Sequence, residues 1–290
     1  RSTVETLKSA LAQCGVPVFI SPGNHDYCSS DSPWLTEHWP KNVHIFTGSL
    51  SYTDVEALNC RVYGAGYKSM DCQGLLEGFR AEGNARWCVG VLHGDPMNLT
   101  APCCPVSAAQ VRESGLDYLA MGHIHAKGSY RAGTVCAWPG CPMGRGWDET
   151  GEKGVCIVTV EDSASLRAVA LDTIRFHELK ADISSGAEAA LEKILPPAGS
   201  RDFFRVTLTG SGEADIARLT RRFSAVPNLT LRDETLPPLD IWGDTGADTL
   251  EGVYFRLLRE AMEADPDSRE EIQLAAEISR KLLEGREVTL

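Results

Sequence analysis

The chain has 290 residues, of which 43% are hydrophobic, and a formal net charge of −12. A chain of this length can bury one large core and a smaller second unit. Its negative charge argues against a protein that holds DNA by charge alone, because neutralising phosphates requires clustered lysine and arginine. No apolar run approaches the roughly 20 residues that cross a bilayer, and no signal peptide is present, so we expect no membrane segment.

The cysteines favour a reducing environment. The chain has 10 of them without any C-x-x-C pair, and several lie within apolar runs, where a free cysteine behaves as a small hydrophobic residue. We therefore expect reduced thiols, no structural zinc site and a cytoplasmic protein.

In chain order, the first 172 residues predict alternating helices and strands. An amphipathic segment at residues 4–11 predicts a helix near the N-terminus. Strands are predicted at the apolar or β-rich runs 16–20, 87–92, 117–121, 154–160 and 166–171.

Short polar phrases follow the first three of these runs. They are Gly23-Asn24-His25-Asp26, His93-Gly94-Asp95 and Gly122-His123-Ile124-His125. Because ligands of open α/β sheets bind beyond the carboxyl ends of the strands, three neighbouring loops would bring these side chains to one place. Each phrase alone has a simpler interpretation, as a turn or as a hydrogen-bonded histidine at a strand end. The three together, in this order, favour a metal site.

The residue types in these phrases suit a particular chemistry. Imidazole nitrogens with amide or carboxylate oxygens bind borderline divalent ions such as Mn, Fe, Zn, Ni or Co. Two such ions roughly 4 Å apart can clamp a phosphate, generate hydroxide near neutral pH and stabilise the leaving oxygen. The phrases therefore predict a centre that cleaves phosphoesters.

The order GNHD, HGD and GHIH resembles the calcineurin-like metallophosphoesterases, and more narrowly the SbcD-like DNA-repair exonucleases. PGCPMGR at 139–145 and DETGEKG at 148–154 are similar to the loop and strand that follow the last histidine motif in bacterial SbcD-like proteins. RDET at 232–235 and LEGREV at 283–288 resemble a bacterial subgroup of the same family. The resemblance runs along nearly the whole chain and implies a metal-dependent nuclease that acts on DNA ends.

The resemblance implies two divalent metal ions, with manganese as the expected metal. Asn24, His93 and His123 would bind one ion, and His125 would reach the other. These assignments come from the matching positions of the motifs.

The resemblance also implies the residues that act on the substrate. His25 would stabilise the transition state or protonate the leaving oxygen, and Asp26 would orient it. A carboxylate beside an imidazole fixes its tautomer and raises its basicity, which suits that division of roles. Arg145 is the candidate for substrate binding.

Two motifs of the resembled family are absent from these 290 residues. That family opens with Asp-x-His and then Gly-Asp-x-x-Asp, which supply the rest of one metal site and the bridging carboxylate. The chain has no Asp-x-His, and its Gly-Asp pairs at 94 and 243 are followed by Asn98 and Ala247 where the second aspartate belongs. We expect the absent ligands to lie upstream of Arg1, and we expect this chain to be an incomplete, inactive fragment.

A small α/β domain is predicted at residues 173–235, after a core of residues 1–172. Its predicted elements are a strand at 173–179, a helix at 187–195, a strand at 203–208, a helix at 216–223 and a strand at 229–231. The resemblance implies a cap domain that shapes the access of DNA to the metals. An accessory domain without substrate contact is the alternative.

Residues 236–290 predict a helical tail with two amphipathic helices. Asp248 is the expected cap of the first helix. Ser268 and Glu271 form a capping-box pattern at the start of the second helix, which is expected to end at Gly285.

The resemblance implies that the tail docks on an SbcC-like ATPase, and it allows a homodimer. The candidate anchors are Leu257, Leu258, Ile278 and Leu282. Packing of both helices on their own domain is the alternative.

The predicted fold is an α/β metallophosphoesterase sandwich, N-terminally incomplete, with a small α/β cap domain and a helical C-terminal tail. The first functional hypothesis is a DNA exonuclease subunit of the SbcD type. A calcineurin-like phosphatase or phosphodiesterase on a small or phosphoprotein substrate is the second. A non-catalytic, degenerate subunit is the third.

Overall fold

The computed structural model describes residues 2–243, 245–286 and 288. Two compact units make up the chain, Arg1–Phe176 and His177–Leu290. The boundaries proposed from the sequence at 172 and 235 remain predictions. Asp244 of the second Gly-Asp pair and Glu287 of the last tail motif lie outside the described residues.

The first unit is built around a six-stranded mixed sheet. The strands of this unit are β1 (Val18–Ile20), β2 (Val43–Ile45), β3 (Ser51–Val55), β4 (Cys60–Gly64), β5 (Trp87–His93), β6 (Tyr118–Gly122), β7 (Gly128–Ala132), β8 (Thr134–Trp138), β9 (Gly154–Val160) and β10 (Ala164–Ala170). The large sheet has the order β3-β4-β5-β6-β8-β7. Its four central strands are parallel, so their carboxyl ends share one edge, and β3 and β7 pair antiparallel at the outer positions.

Smaller elements flank this sheet. β1 pairs with β2 in parallel, and β9 pairs with β10 antiparallel. The helices are α1 (Ser2–Gln13), α2 (Pro33–Thr36) and α3 (Ala108–Glu113). α3 begins with a reciprocal capping box between Ser107 and Gln110, which satisfies two backbone donors that the first turn leaves unpaired.

The core of the first unit lies on the central strands. Alternate residues of β5 are buried, whereas all of β8 is buried, as expected for a strand covered on both faces. Fully buried side chains of this core include Tyr67, Val106, Val111, Leu119 and Cys136. All ten cysteines are free thiols in the structure.

The predicted mixed α/β architecture with a central sheet is confirmed. The runs at 87–92 and 117–121 form β5 and β6, so each histidine phrase follows a strand as expected. The run at 16–20 contributes only Val18–Ile20. Val16 is 57% exposed, and Pro17 has no N–H to donate to a neighbouring strand.

The second unit contains a three-stranded sheet of its own. Its elements are β11 (Phe176–Asp182), α4 (Ala187–Ile194), β12 (Phe203–Thr209), α5 (Ile216–Arg222) and β13 (Leu229–Asp233), with the strand order β11-β12-β13. Its core includes the buried side chains Leu191, Val206, Leu208 and Leu219.

The first of these strands begins later than predicted. The predicted strand at 173–179 is displaced to Phe176–Asp182. Two of its expected residues bind the preceding loop instead, because Thr173 donates its hydroxyl to the Pro142 carbonyl and the Ile174 carbonyl accepts from Gly144. A local sequence pattern does not reveal such a competing partner.

The tail consists of α6 (Leu250–Ala264) and α7 (Arg269–Leu283), joined by a short 3-10 turn. Phe255, Ala276 and Arg280 are buried. The Arg280 guanidinium lies 4.0 Å from the centre of the Phe255 ring and forms an ion pair with Glu251. None of the helices among the described residues has the length and apolar character that a bilayer crossing requires.

Both predicted helix caps of the tail are wrong. α6 is capped by Thr249, whose hydroxyl accepts from the Gly252 N–H at 3.1 Å, and not by Asp248. Ser268 occupies the cap position of α7 without capping it, since its hydroxyl donates to Asp265 at 2.8 Å. The 3-10 turn brings the Asp265 carboxylate within reach of the Ser268 hydroxyl. That hydroxyl is therefore not available to accept a hydrogen bond from the first turn of α7.

Candidate metal centre

Five predicted site residues meet at one cavity of about 400 Å³. The cavity is lined by Asn24, His25, His93, His123, Ile124, His125, Gly140 and Cys141. The loop after β1 supplies the first two residues, β5 ends at His93, and the third phrase follows β6. β5 and β6 are adjacent parallel strands, so the polar residues at their carboxyl ends lie together.

His93 is held from several sides. Its Nε2 lies 2.8 Å from Oδ1 of Asn24, which is only 7% exposed. Its backbone carbonyl accepts a hydrogen bond from the Tyr67 hydroxyl at 3.0 Å. Burial, and next the proximity of His123, lower the pKa of His93 to about 4. The ring is therefore neutral at pH 7, which is the form that binds metals.

Two glycines make room for the His93 ring. A Cβ at Gly23 would overlap the ring atoms, and one at Gly122 would approach Nδ1 to 3.0 Å. Both glycines belong to the polar phrases. Glycine is needed at both positions because the backbone lies close to the His93 ring, which a turn by itself would not require.

His123 lies beside His93 in a strained backbone conformation. The two ring centroids are 5.2 Å apart in an edge-to-face arrangement. The φ of His123 is +98°, which a residue with a side chain adopts only when its surroundings enforce it. Burial lowers the pKa of His123, while the nearby Asp95 carboxylate opposes that shift.

His125 is bound differently, through a carboxylate. Its Nδ1 lies 2.8 Å from Oε1 of Glu149, whose side chain is only 2% exposed. Arg145 contacts the same oxygen through Nη2 at 2.6 Å. Chiefly because of the Arg145 guanidinium, the pKa of Glu149 is lowered to about 2, so the carboxylate is ionised at pH 7.

The structure places His25 at the cavity but gives Asp26 another partner. The Asp26 carboxylate accepts a hydrogen bond from the Gly23 N–H at 2.8 Å and so closes the turn. Among the described residues, no hydrogen bond joins it to the His25 ring. A direct orienting bond between the two side chains, as the resemblance implies, is therefore not present in this structure.

Comparison with known proteins agrees with this chemistry. No family model matches the chain. The chain is 32% identical over 161 residues to the "Uncharacterized metallophosphoesterase YhaO" of Bacillus subtilis (strain 168). The match covers 52% of this chain and 38% of that protein. This similarity supports the metallophosphoesterase superfamily. It also supports a metal-dependent phosphoester hydrolase in general.

The cavity residues fit one side of a metallophosphoesterase centre better than the other. Among the described residues, no group of three His, Cys, Asp or Glu side chains is arranged to hold a metal. Asn24 adds an amide oxygen to the imidazoles of His93 and His123, and its Oδ1 lies 2.8 Å from Nε2 of His93, so the donor types suit a borderline divalent ion. These three residues therefore fit part of the ligand set of one ion. For a second ion the cavity offers His125.

Glu149 was not predicted as a site residue from the sequence. It lies 24 positions after His125, in the DETGEKG stretch that resembles the family. Glu149 is distinguished by the almost complete burial of its carboxylate, and that burial can be seen only in the folded chain. Arg145, predicted to bind substrate, is bound to this carboxylate and is 64% exposed.

Proposed function

We propose that this chain forms part of the catalytic core of a metal-dependent phosphodiesterase of the SbcD-like exonuclease type, acting on DNA ends. The observation that carries the proposal is the convergence of an amide oxygen and four histidines on one cavity. The similarity to YhaO supports the phosphoesterase chemistry, since that protein is named a metallophosphoesterase. The chain spans 38% of the length of YhaO, so the substrate and partners belong to the proposal.

In this proposal, Asn24, His93 and His123 hold one divalent ion and His125 reaches a second, with manganese as the metal. The neutral imidazole of His93 has a lone pair available at pH 7. Nε2 of His93 is hydrogen-bonded to Oδ1 of Asn24, and an ion bound by both atoms would replace that bond. Bound ions would supply the positive charge that polarises the phosphate and activates water.

His25 is proposed to donate a proton to the leaving oxygen, or to stabilise the charge that develops on the phosphate. It lines the cavity and is exposed, so a phosphate bound there would lie within its reach. Asp26 would act indirectly, because its bond to the Gly23 N–H holds the turn that carries the His25 backbone. Proton transfer by a positioned histidine accelerates such reactions typically 100- to 10,000-fold.

DNA is proposed as the substrate although the chain is acidic. Arg145 is the candidate contact for a phosphate, with a side chain that is 64% exposed while it binds Glu149. Lys127 is paired with Glu152 at 3.1 Å, so its charge is partly balanced. We therefore expect the ions and the cap domain at 173–235, more than surface lysines, to govern DNA binding.

The activity can be tested with two proteins: the 290-residue chain, and an extended protein that also carries the Asp-x-His and Gly-Asp-x-x-Asp motifs absent from these 290 residues. We expect the extended protein to cleave linear duplex DNA with Mn²⁺, and the 290-residue chain to cleave little or none. In the extended protein, His25→Ala should lower kcat roughly 100-fold or more, with the affinity for Mn²⁺ nearly unchanged. His38→Ala is the matched control, since His38 is an exposed histidine that does not line the cavity.

The outcomes separate the hypotheses. Strong DNA cleavage by residues 1–290 alone would show that ligands from an Asp-x-His and a Gly-Asp-x-x-Asp motif are not needed. Hydrolysis of bis(p-nitrophenyl) phosphate without DNA cleavage would favour a phosphodiesterase for small substrates. Mn²⁺ binding without hydrolysis of either substrate, in the extended protein, would favour a non-catalytic subunit.

The tail is proposed to dock on an SbcC-like ATPase. Two of the predicted anchors are exposed, Leu257 at 58% and Leu282 at 65%, and this supports a surface that a partner could cover. Leu258 and Ile278 are half-buried and also serve the packing of the tail. A homodimer through the same helices is the competing assembly.

A pull-down with an SbcC-like ATPase encoded beside this gene tests the docking. Leu257→Asp and Leu282→Asp should abolish association while leaving Tm nearly unchanged, because both side chains are already exposed. Leu58→Asp, at a leucine of similar exposure outside the tail, should leave association intact. Undiminished binding by both tail variants would contradict the proposal, and a dimer lost in both variants would favour self-association.

A further inference from the structure

A nearly inaccessible carboxylate lies against one edge of the candidate metal centre. Glu149 is 3% exposed, which is rare for an acidic residue unless it is paired. It follows the loop at 139–145, which is anchored on the third histidine phrase through a hydrogen bond from the Cys141 N–H to the His125 carbonyl at 3.2 Å. Gly140, with φ at +78°, permits that approach, because a Cβ there would overlap the same carbonyl. The loop thus holds Glu149 at a fixed place beside the His125 ring.

The two oxygens of Glu149 are fully engaged. Oε1 accepts from Arg145 Nη2 at 2.6 Å and lies 2.8 Å from His125 Nδ1. Oε2 accepts from the Arg145 backbone N–H at 3.0 Å and from the Cys141 thiol at 3.5 Å. Arg145 donates to both oxygens and so holds Glu149 as the ionised carboxylate, which can only accept hydrogen bonds. The proton between Glu149 and His125 therefore belongs to Nδ1.

This assignment has a consequence for the His125 ring. A neutral imidazole with its proton on Nδ1 carries its lone pair on Nε2. His125 lines the cavity and its side chain is 47% exposed, so Nε2 is the nitrogen left to bind a ligand there. The guanidinium of Arg145 balances the charge of Glu149. Because its charge is neutralised by Arg145, Glu149 attracts a metal ion less than an unpaired carboxylate would, and its role is to support His125.

We infer that Glu149 is a positioning residue that fixes His125 as the Nδ1–H tautomer and so makes Nε2 its metal-binding atom, with Arg145 as the counter-charge. The statement about metal rests on the proposed function, whereas the statement about the tautomer does not. The role differs from that of Asp26, which the resemblance implies is the carboxylate that orients His25. Among the histidines that line this cavity, the one whose ring contacts a carboxylate in the described residues is His125.

The tautomer can be measured directly by long-range proton–nitrogen NMR on the full, metal-free chain labelled at histidine nitrogens. The spectrum is recorded at about pH 8, where an ordinary histidine is neutral. The His125 signals are identified by their loss in His125→Gln. We expect the wild type to show the Nδ1–H pattern at His125. An Nε2–H pattern in the wild type would overturn the inference, and this result needs no substitution at Glu149.

Variants then test whether Glu149 is the cause. Glu149→Ala should shift His125 towards the Nε2–H form that free imidazoles favour, and Arg145→Met should do so less. Glu152→Gln is the control, because it removes an exposed carboxylate of the same segment that pairs with Lys127. An unchanged His125 pattern in folded Glu149→Ala would overturn the role of Glu149. If Glu149→Ala does not fold, the wild-type spectrum and the smaller shift expected in Arg145→Met still test whether Glu149 fixes the His125 tautomer.

Calorimetric titration of the extended protein, which carries the motifs absent from these 290 residues, with Mn²⁺ tests the metal part. Loss of a residue that orients a metal-binding histidine typically weakens affinity 10- to 100-fold. We expect a loss of that size at the weaker of two sites in Glu149→Ala, and none in Glu152→Gln. Absence of Mn²⁺ binding in a wild type with the Nδ1–H pattern would contradict the proposed function and leave the positioning role standing. Two-site binding with equal affinities in Glu149→Ala and wild type would contradict the positioning role and leave the proposed function standing.

Discussion

The two sides of the cavity hold their histidines by different means. On the His93 side, defined by Asn24, His93 and His123, the ring is enclosed by strand ends and by two glycines that leave it room. On the His125 side, defined by His125, Glu149 and Arg145, an exposed ring contacts a buried carboxylate from a later loop, and the exposed Arg145 pairs with that carboxylate. The first side is positioned by the sheet, and the second by a side-chain network.

This difference teaches how each side responds to change. Groups enclosed by backbone cannot move away from an added atom, so their positions tolerate little substitution. A ring bound through one carboxylate can rotate once that carboxylate is lost. We therefore expect substitutions on the His93 side to lower the free energy of unfolding and to abolish binding of the first ion. Substitutions on the His125 side should instead change the orientation of the His125 ring.

The largest expected effect concerns metal affinity. His93→Ala should weaken the tighter Mn²⁺ site more than about 100-fold, since a directly binding residue costs more than the 10- to 100-fold typical of its supporting partners. His125→Ala should leave that site within about threefold and remove the weaker one. Calorimetric titration of both variants, made in the extended protein, measures the two sites. If both variants lost Mn²⁺ affinity equally at both sites, the two sides of the cavity would not hold separate ions.

The next effect concerns packing around His93. Gly23→Ala places a methyl group on the ring of His93, and we expect the free energy of unfolding to fall by about 2 kcal/mol, as for other overpacked sites. Gly48→Ala is the matched control, because its Cβ would make only an ordinary contact with Lys68 at 3.8 Å. Urea denaturation compares the two. A Gly23→Ala protein as stable as Gly48→Ala would show that the His93 ring can move.

A smaller effect is a pH dependence in the metal-free protein. The pKa of His93 is about 4 in the folded chain against an ordinary 6.5. Between these values the unfolded chain binds more protons, so stability is lost as pH falls from about 6.5 to about 4. A shift of this size corresponds to about 3 kcal/mol, which the partial exposure of the ring reduces to about 2 kcal/mol. His93→Gln should lack this loss in urea denaturation measured across that range.

The smallest expected effect separates the two sides by pH window. The pKa of Glu149 is lowered to about 2 from 4.5, so its contribution is complete above about pH 4.5 and is lost as pH falls towards 2. Glu149→Gln should remove only this lower step. His93→Gln should remove only the upper one. A single step that both variants abolish would mean that the two sides unfold as one network.

Much of the His93 side was predictable from the sequence. The apolar runs before each histidine phrase predicted strands, and β5 and β6 are found there. The adjacent parallel strands β5 and β6 end at one edge, which is why His93 and His123 could be expected together. Asn24 follows β1, which pairs with β2 in a separate sheet. The start of β11 and both tail caps were wrong, since each depends on a hydrogen bond to a residue that competes with the local pattern.

By itself, the sequence determined the α/β class, the central strands and the placement of the histidine phrases at their ends. Such features follow from local periodicity, since a buried strand and the loop after it are encoded in neighbouring residues. Only the tertiary structure decided which carboxylate serves which histidine. Asp26 follows His25 directly yet binds the Gly23 N–H, whereas Glu149 lies 24 positions from His125 and contacts its ring. A local turn sets the first pairing. Burial and the approach of a distant loop set the second, and the spacing of residues along the chain reveals neither.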